Sequence, residues 1–348
     1  MVFRFSYRRY AAEFCTPIRT AHGLWAEREG VLVKLADEAG SVGYGEAAPI
    51  PWFGTETAEE VETVCRDFGE WVTEEQIHGL PPRLGCFRGA LQAARESLLQ
   101  RKDDGSEPVV SAQTAAPTPY LPVAALLPAG RGALEKIEPL GEIGFRTFKW
   151  KVGVGDVADE LSLLDDVVAR LPKGAELRLD ANGAWDRRRA ERWLERSAER
   201  PIEFIEQPIS PEARGAEDLL LGLAGDYPTP IGLDESVVLE TQLQHWLQLG
   251  WSGIFVVKPS LLGDAPAALR KLRAAQANVV FSSALETAVG AQRALRLALD
   301  FGGKPRALGF GVAPLFRDAR LEGLALAPFI RREDVERLNP ENVWNALS

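Results

Sequence analysis

From Tyr120 onward the chain alternates short apolar runs with amphipathic stretches, and this alternation is its strongest constraint on fold. The runs are "LPVAALLPAG", "FRTFKWKVG", "LRLDANGAW", "IEFIEQP", "IGLDESV", "GIFVVKPS", "NVVFSSALE" and "ALGFGVAP". Between them lie segments such as "DVADELSLLDDVVARLP", "DRRRAERWLERSAE" and "TAVGAQRALRLALDFG", whose apolar residues recur at helical spacing. Each repeat spans about 24 to 30 residues, the size of one strand-plus-helix unit. Apolar runs of this kind suit parallel strands buried on both faces. Eight of them predict a closed barrel rather than an open sheet. No strong helix follows the eighth run, so the expected form is a modified TIM-type barrel, (β/α)7β, over residues 119–312.

The first third reads differently. "FRFSYRRYAAEF", "GVLVKLAD" and "SVGYGEAAP" alternate like antiparallel strands joined by turns. Two helical segments follow, "TETAEEVETVCRDFGEWV" and "LGCFRGALQAARESLLQRK", the first opening on a Thr57–Glu60 capping box. Strands followed by helices predict a small α+β domain over residues 1–118. The polar stretch "KDDGSEPVVSAQTAAPTP" reads as a linker. The last segment, 313–348, is expected to return to the first domain and complete it as a cap on the barrel.

A chain of 348 residues exceeds one small domain, which agrees with that division. Its formal charge of -10 disfavours nucleic acid, whose binders carry a basic patch. The three cysteines, Cys15, Cys65 and Cys86, have long spacings that support neither a disulfide framework nor a zinc site. "MVFRFSYRRY" lacks the apolar centre of a signal peptide, and no apolar run is long enough to span a bilayer. The expected compartment is the cytoplasm, with no membrane or nucleic-acid partner. The oligomeric state stays open, a monomer being sufficient.

Barrel enzymes place their chemistry at the C-terminal ends of the strands. Here those ends carry charge in order: Lys149 and Lys151 on the second run, Asp180 and Asn182 on the third, Glu206 on the fourth, Asp234 and Glu235 on the fifth, Lys258 on the sixth. Residues two apart on a strand share a face, so Lys149 and Lys151 both point inward and Trp150 points out. Clustered carboxylates repel unless a cation lies between them. An all-oxygen donor set suits Mg²⁺ or Mn²⁺ rather than Zn²⁺. Lys151 and Lys258 would flank a substrate, and Lys149 disfavours the charged form of Lys151, the condition for an amine base.

"KWK", "LDAN", "FIEQP", "GLDES" and "VVKPS", in this order, resemble the enolase superfamily, in particular its muconate-cycloisomerase type with a K-x-K motif. The resemblance covers nearly the whole chain. It implies that Asp180, Glu206 and Asp234 hold Mg²⁺, with Mn²⁺ the other candidate. It implies that Lys151 is the general acid/base tuned by Lys149, that Lys258 stabilises an enediolate from the opposite face, and that Glu235 faces away. The implied substrate is a small-molecule carboxylate that loses its α-proton.

Within the type, "FSSALETAVG" and "GYGEAAPIPWFGTETAEE" resemble o-succinylbenzoate synthases. That resemblance implies a lyase that dehydrates 2-succinyl-6-hydroxy-2,4-cyclohexadiene-1-carboxylate in menaquinone or phylloquinone biosynthesis. It also makes Arg178, Asn182, Ser282 and Ser283 candidate substrate contacts. N-succinylamino-acid racemase and muconate cycloisomerase are alternatives. Dipeptide epimerase is a weaker one, because "GFGVAPLF" lacks the Asp-x-Asp that would hold an ammonium group. A non-catalytic metal-binding protein on the same scaffold is a different class, disfavoured by the intact charged set. "TPIRTAHGLWAEREG" and "PIPWFGTET" read as loops over the barrel mouth, with His22, Trp52 and Phe53 as candidate lining.

Overall fold

The computed structural model describes residues 1–20, 23–100, 119–303 and 306–347. The expected linker therefore lies almost wholly outside the described residues, as does His22.

The N-terminal sheet is antiparallel, in the order β3-β2-β1-β4, from β1 (Val2–Thr20), β2 (Gly23–Ala36), β3 (Val42–Ala47) and β4 (Trp71–Thr73). Helix Ala58–Phe68 starts on the expected capping box, with both Thr57–Glu60 contacts formed. Helix Gly85–Gln100 lies directly on β3. A Cβ at Gly43 would come 1.8 Å from the Ala94 carbonyl oxygen, and one at Gly45 would come 1.9 Å from that of Ala90. Only glycine allows so close an approach. Phe3, Phe5, Val31, Val33, Leu35, Phe87 and Leu91 form the core between sheet and helices.

One expectation fails in this half. "TPIRTAHGLWAEREG" reads as a loop, yet most of it continues β1 and β2 as a two-stranded ribbon. An irregularity between Glu13 and Ile18 shifts the register, after which Ile18 pairs with Trp25. Trp25 packs edge-on against Phe14 and Trp52, with ring centroids 5.2 and 4.7 Å away. Cross-strand contacts of this kind outweigh local turn propensity.

The second sheet has the predicted eight parallel strands. They are β5 (Tyr120–Leu127), β6 (Thr147–Lys151), β7 (Glu176–Asp180), β8 (Ile202–Glu206), β9 (Ile231–Leu233), β10 (Ile254–Val257), β11 (Asn278–Phe281) and β12 (Leu308–Gly311). Sequential strands are neighbours, β12 pairs with β5, and a Ser282–Gly309 bridge joins β11 to β12, so the sheet closes. Helices such as Val157–Arg170, Arg187–Ser197 and Ala288–Phe301 cover its outside. Trp150 turns outward as expected and meets Trp193 of the helix layer, with ring centroids 6.3 Å apart. Inside, Phe204, Ile254, Val256 and Val280 plug the barrel.

The C-terminal segment returns to the first sheet. Leu315, Phe316, Leu321, Val343 and Trp344 share a buried cluster with Tyr10, Ala12, Phe14, Leu32 and Tyr44. A short strand, β13 (Phe329–Arg331), pairs antiparallel with β5 on the way. Among the described residues no helix is long and apolar enough to cross a membrane.

Candidate active site

The parallel register stacks the strand-end charges in one tier. Lys151 pairs with Asp180 across β6 and β7, and Asp180 pairs with Glu206 across β7 and β8. Asp234 follows the last residue of β9 and Lys258 the last residue of β10. The three carboxylates thus come from three adjacent strands, with Lys151 on one flank and Lys258 on the other. All three are buried, at 8, 2 and 5% exposure for Asp180, Glu206 and Asp234.

Lys149 sits among them. Its Nζ lies 2.9 Å from Asp180 Oδ2 and 2.7 Å from Glu206 Oε1, while Lys258 Nζ contacts Asp234 Oδ1. Burial disfavours charge on both lysines, but the surrounding carboxylates outweigh it and hold both pKa values above the ordinary lysine value. Lys149 is therefore a fixed cation that cross-links two of the acids. Burial likewise works against ionisation of Asp180, yet Lys149, Lys151 and Lys258 keep its pKa below the usual aspartate value. Glu206 goes the other way: burial, then repulsion from Asp180 and Asp234, push it up despite Lys149.

Glu235 lies just past the end of β9. The strand alternation would turn it away from the mouth. However, β9 stops at Leu233 and the chain enters a tight turn at Glu235–Val237, so that alternation no longer applies. Its Oε1 accepts from Asn182 Nδ2 at 3.1 Å, and its Oε2 is buried with no hydrogen-bond partner among the described residues. Burial and the neighbouring Asp234 raise its pKa. Asn182 adopts a left-handed φ of 44° and also donates its backbone N–H to Asp180 Oδ1, which orients that carboxylate.

The candidate substrate contacts are distributed unevenly. Ser282 and Ser283 stand at the end of β11, both buried. Ser283 Oγ donates to Glu286 Oε2 at 2.9 Å. Phe53 faces the site, its ring centroid 5.3 Å from Lys258 Nζ, and Trp52 stacks edge-on with Trp25. Arg178 sits one tier below Asp180. Its Nε donates to Glu203 Oε2 at 2.6 Å and its Nη1 to the Ala307 carbonyl at 2.7 Å. A register shift in β8 opposite Leu177 and Arg178 leaves Glu203 as the extra residue, and Arg306 also reaches it at 2.7 Å. Arg178 thus belongs to a charged network below the mouth.

Two positioning groups had no sequence reading. Gln207, fully buried with φ 37°, accepts from Asp234 N and Ser236 N and donates to Ser236 Oγ, which fixes the turn carrying Asp234. Its only signal was its place after Glu206 in "FIEQP". Glu160 accepts three successive backbone N–H groups, from Gly153, Val154 and Gly155, at 2.8 to 3.1 Å. It thereby fixes the loop that follows Lys151, and nothing in the helical segment "DVADELSLLDDVVARLP" singles it out.

The donor set fits a hard divalent cation: three buried carboxylates, no nitrogen or sulfur ligand, and an orphaned carboxylate oxygen on Glu235 nearby. Among the described residues no three His, Cys, Asp or Glu side chains form a ready-made metal group, and Lys149 and Lys258 lie against the acids.

The family model described as Enolase C-terminal domain-like matches residues 133–304. The closed barrel, its antiparallel cap and the acidic tier between two lysines make this chain a member of the enolase superfamily. Over 318 residues it is 39% identical to the o-succinylbenzoate synthase of Thermosynechococcus vestitus, covering 89% of this chain and 92% of that one. It superposes with a TM-score of 0.80 on the crystal structure of o-succinylbenzoate synthase from Thermosynechococcus elongatus, complexed with Mg in the active site, at 35% identity and 99% coverage of both chains. A hydrophobic dipeptide epimerase from Roseobacter litoralis is 30% identical over 67% of this chain and 68% of its own. Within the superfamily, the chain belongs to the o-succinylbenzoate synthase family.

Proposed function

We propose that this protein is a Mg²⁺-dependent lyase that dehydrates 2-succinyl-6-hydroxy-2,4-cyclohexadiene-1-carboxylate to 2-succinylbenzoate, a cytoplasmic step in menaquinone or phylloquinone biosynthesis. One observation carries the reading. Lys151 and Lys258 rise from β6 and β10, and the acids of β7, β8 and β9 lie between them. A substrate carboxylate held over those acids has an amine on each side.

Asp180, Glu206 and Asp234 would hold the metal. Bound there, a divalent cation supplies Lewis-acid stabilisation of negative charge on the substrate carboxylate. Lys149, held cationic, keeps Asp180 and Glu206 together and adds positive charge to the tier. Lys151 takes the proton α to the carboxylate. Lys258 on the opposite face stabilises the negative charge that develops. The C–H electron pair becomes a ring double bond as the C–O bond to the hydroxyl breaks. Lys151 then returns its proton to that hydroxyl, which leaves as water from the same face. The ring becomes aromatic, so the elimination is strongly downhill. Phe53, its ring against Lys258 Nζ, would help to exclude water there.

The test is a direct assay of the cyclohexadiene substrate beside N-succinylamino acids and dipeptides, with Mg²⁺ and after chelation. Dehydration should be the faster reaction and should stop on chelation. Faster turnover of N-succinylamino acids or dipeptides would overturn the assignment.

A further inference from the structure

Two buried charges of opposite sign, both on the cap, are used on one barrel loop. Arg28, on β2, is 1% exposed, and among the described residues it forms no ion pair with a carboxylate. A desolvated guanidinium is costly unless each N–H finds an acceptor. All five do, and all five acceptors are backbone carbonyls. Nη1 donates to Glu29 at 2.9 Å and Pro49 at 2.6 Å, Nη2 to Ala48 and to Ala284 at 3.2 Å, and Nε to Leu285 at 3.1 Å. Three of these carbonyls belong to the cap and two to the loop that follows β11.

Glu46, on β3, grips the same loop a few residues on. Its Oε1 accepts from Thr287 N at 2.9 Å and Tyr10 Oη at 2.5 Å. Its Oε2 accepts from Thr287 Oγ1 at 2.5 Å and Gly290 N at 2.8 Å. Thr287 caps helix Ala288–Phe301. A cap carboxylate therefore satisfies the open N–H groups at the start of a barrel helix, where negative charge is favoured. Carbonyls before the helix meet the cation, and N–H groups at its start meet the anion. Leu285 between them is held at a left-handed φ of 60°.

The loop fixed in this way is the one that carries Ser282 and Ser283. Its Glu286 bridges Ser283 Oγ at 2.9 Å and Ser260 Oγ at 3.2 Å, and Ser260 stands two residues past Lys258. We propose that Arg28 and Glu46 are positioning residues of the substrate site: they lock the Ser282–Thr287 loop to the cap, and through Glu286 and Ser260 they set the strand end that bears Lys258. The proposal rests on the reading that this mouth binds a substrate carboxylate. The cap is then a fixed wall of the site at this point, wired to the barrel through main-chain groups.

The experiment compares Glu46→Gln, Arg28→Lys and the milder Thr287→Val with wild type in the Mg²⁺-loaded full-length enzyme. Amide hydrogen exchange is read along the whole chain, beside kcat and KM for the cyclohexadiene substrate. Exchange at residues 284–290 should quicken by about tenfold or more while β6–β8 stay unchanged, and KM should rise by about fivefold or more. If Glu46→Gln does not fold, Thr287→Val keeps the side-chain shape, removes the Oγ1 donor to Glu46 together with the acceptor for Val289 N–H, leaves the Glu46 contacts to Thr287 N and Gly290 N, and carries the same readouts. Unchanged exchange in the loop overturns the lock. Faster exchange with unaltered KM and kcat reduces it to a purely structural contact and overturns the positioning role. If wild type does not dehydrate the cyclohexadiene substrate, the proposed activity fails, and the same variants are judged by loop exchange and by KM for whichever N-succinylamino acid or dipeptide turns over.

Discussion

Replacing Arg178 with Met separates two roles for one guanidinium. The family resemblance makes it a substrate contact, whereas the structure holds it below the mouth, 1% exposed, on Glu203 and the Ala307 carbonyl. Met keeps an apolar stem against Phe204, whose ring centroid lies 4.9 Å from the guanidinium, and deletes the charge. Removing one partner of a buried ion pair costs about 3–5 kcal/mol when the other charge is left alone. Here Arg306 still reaches Glu203 at 2.7 Å. The loss should therefore fall at the low end, about 3 kcal/mol at neutral pH. Burial works to raise the Glu203 pKa, but Arg178 and Arg306 hold it below the ordinary glutamate value. A depressed carboxylate contributes stability that is present above its unfolded pKa, about 4.3, and lost as pH falls through its folded value. The gap between wild type and Arg178→Met should thus be full at neutral pH and shrink as the solution is acidified below that unfolded value. Urea unfolding at neutral and acidic pH measures it, with steady-state kinetics alongside. The KM should stay within about twofold of wild type. A variant that keeps its stability within about 0.5 kcal/mol while KM rises about tenfold would refute the structural role and return Arg178 to the substrate.

Three further outcomes are expected. Lys151→Ala and Lys258→Ala should each lower kcat by about 10²–10⁴-fold or more, and full activity in Lys151→Ala would sink the base assignment. Glu160→Ala strands three loop N–H groups and should cost about 3 kcal/mol, with faster amide exchange at Gly153–Gly155; slow exchange there would show that the carboxylate does not hold the loop. Of the three thiols, Cys15 is exposed, whereas burial pushes the Cys65 and Cys86 thiols up in pKa. A thiol reagent should therefore label one cysteine in native protein and three in denaturant, and rapid native labelling of Cys65 would contradict the packing.

The charged tier was legible in the sequence because a parallel barrel turns position into geometry. The residue that closes each apolar run must stand at the mouth, so Lys151, Asp180, Glu206, Asp234 and Lys258 could be grouped before any contact was known. Contacts that depend on register or on distant chain could not be read this way. Glu203 meets Arg178 through a register shift in β8, and nothing in "IEFIEQP" signals an extra residue. The direction of Glu235 does not follow from strand alternation, because β9 ends one residue before Asp234. Glu46 finds Thr287 and Gly290 across more than two hundred residues of chain, a pairing no local pattern encodes. The ribbon at residues 16–20 and 23–30 was misread for a related reason: its extended shape comes from the partner strand, while its Pro, Gly and polar residues locally favour turns.

The shared cluster of Tyr10, Phe14 and Tyr44 with Phe316, Val343 and Trp344 has a consequence for the order of assembly. During synthesis the first sheet emerges with one apolar face lacking its cover, and that cover arrives only after all eight barrel strands have been made. The barrel's contacts are mostly between consecutive units, so it can close as it is produced. The first sheet is then sealed last. Damage confined to residues 340–347, which carry Val343 and Trp344, should leave a barrel with its acidic tier in place and an exposed, aggregation-prone sheet above it.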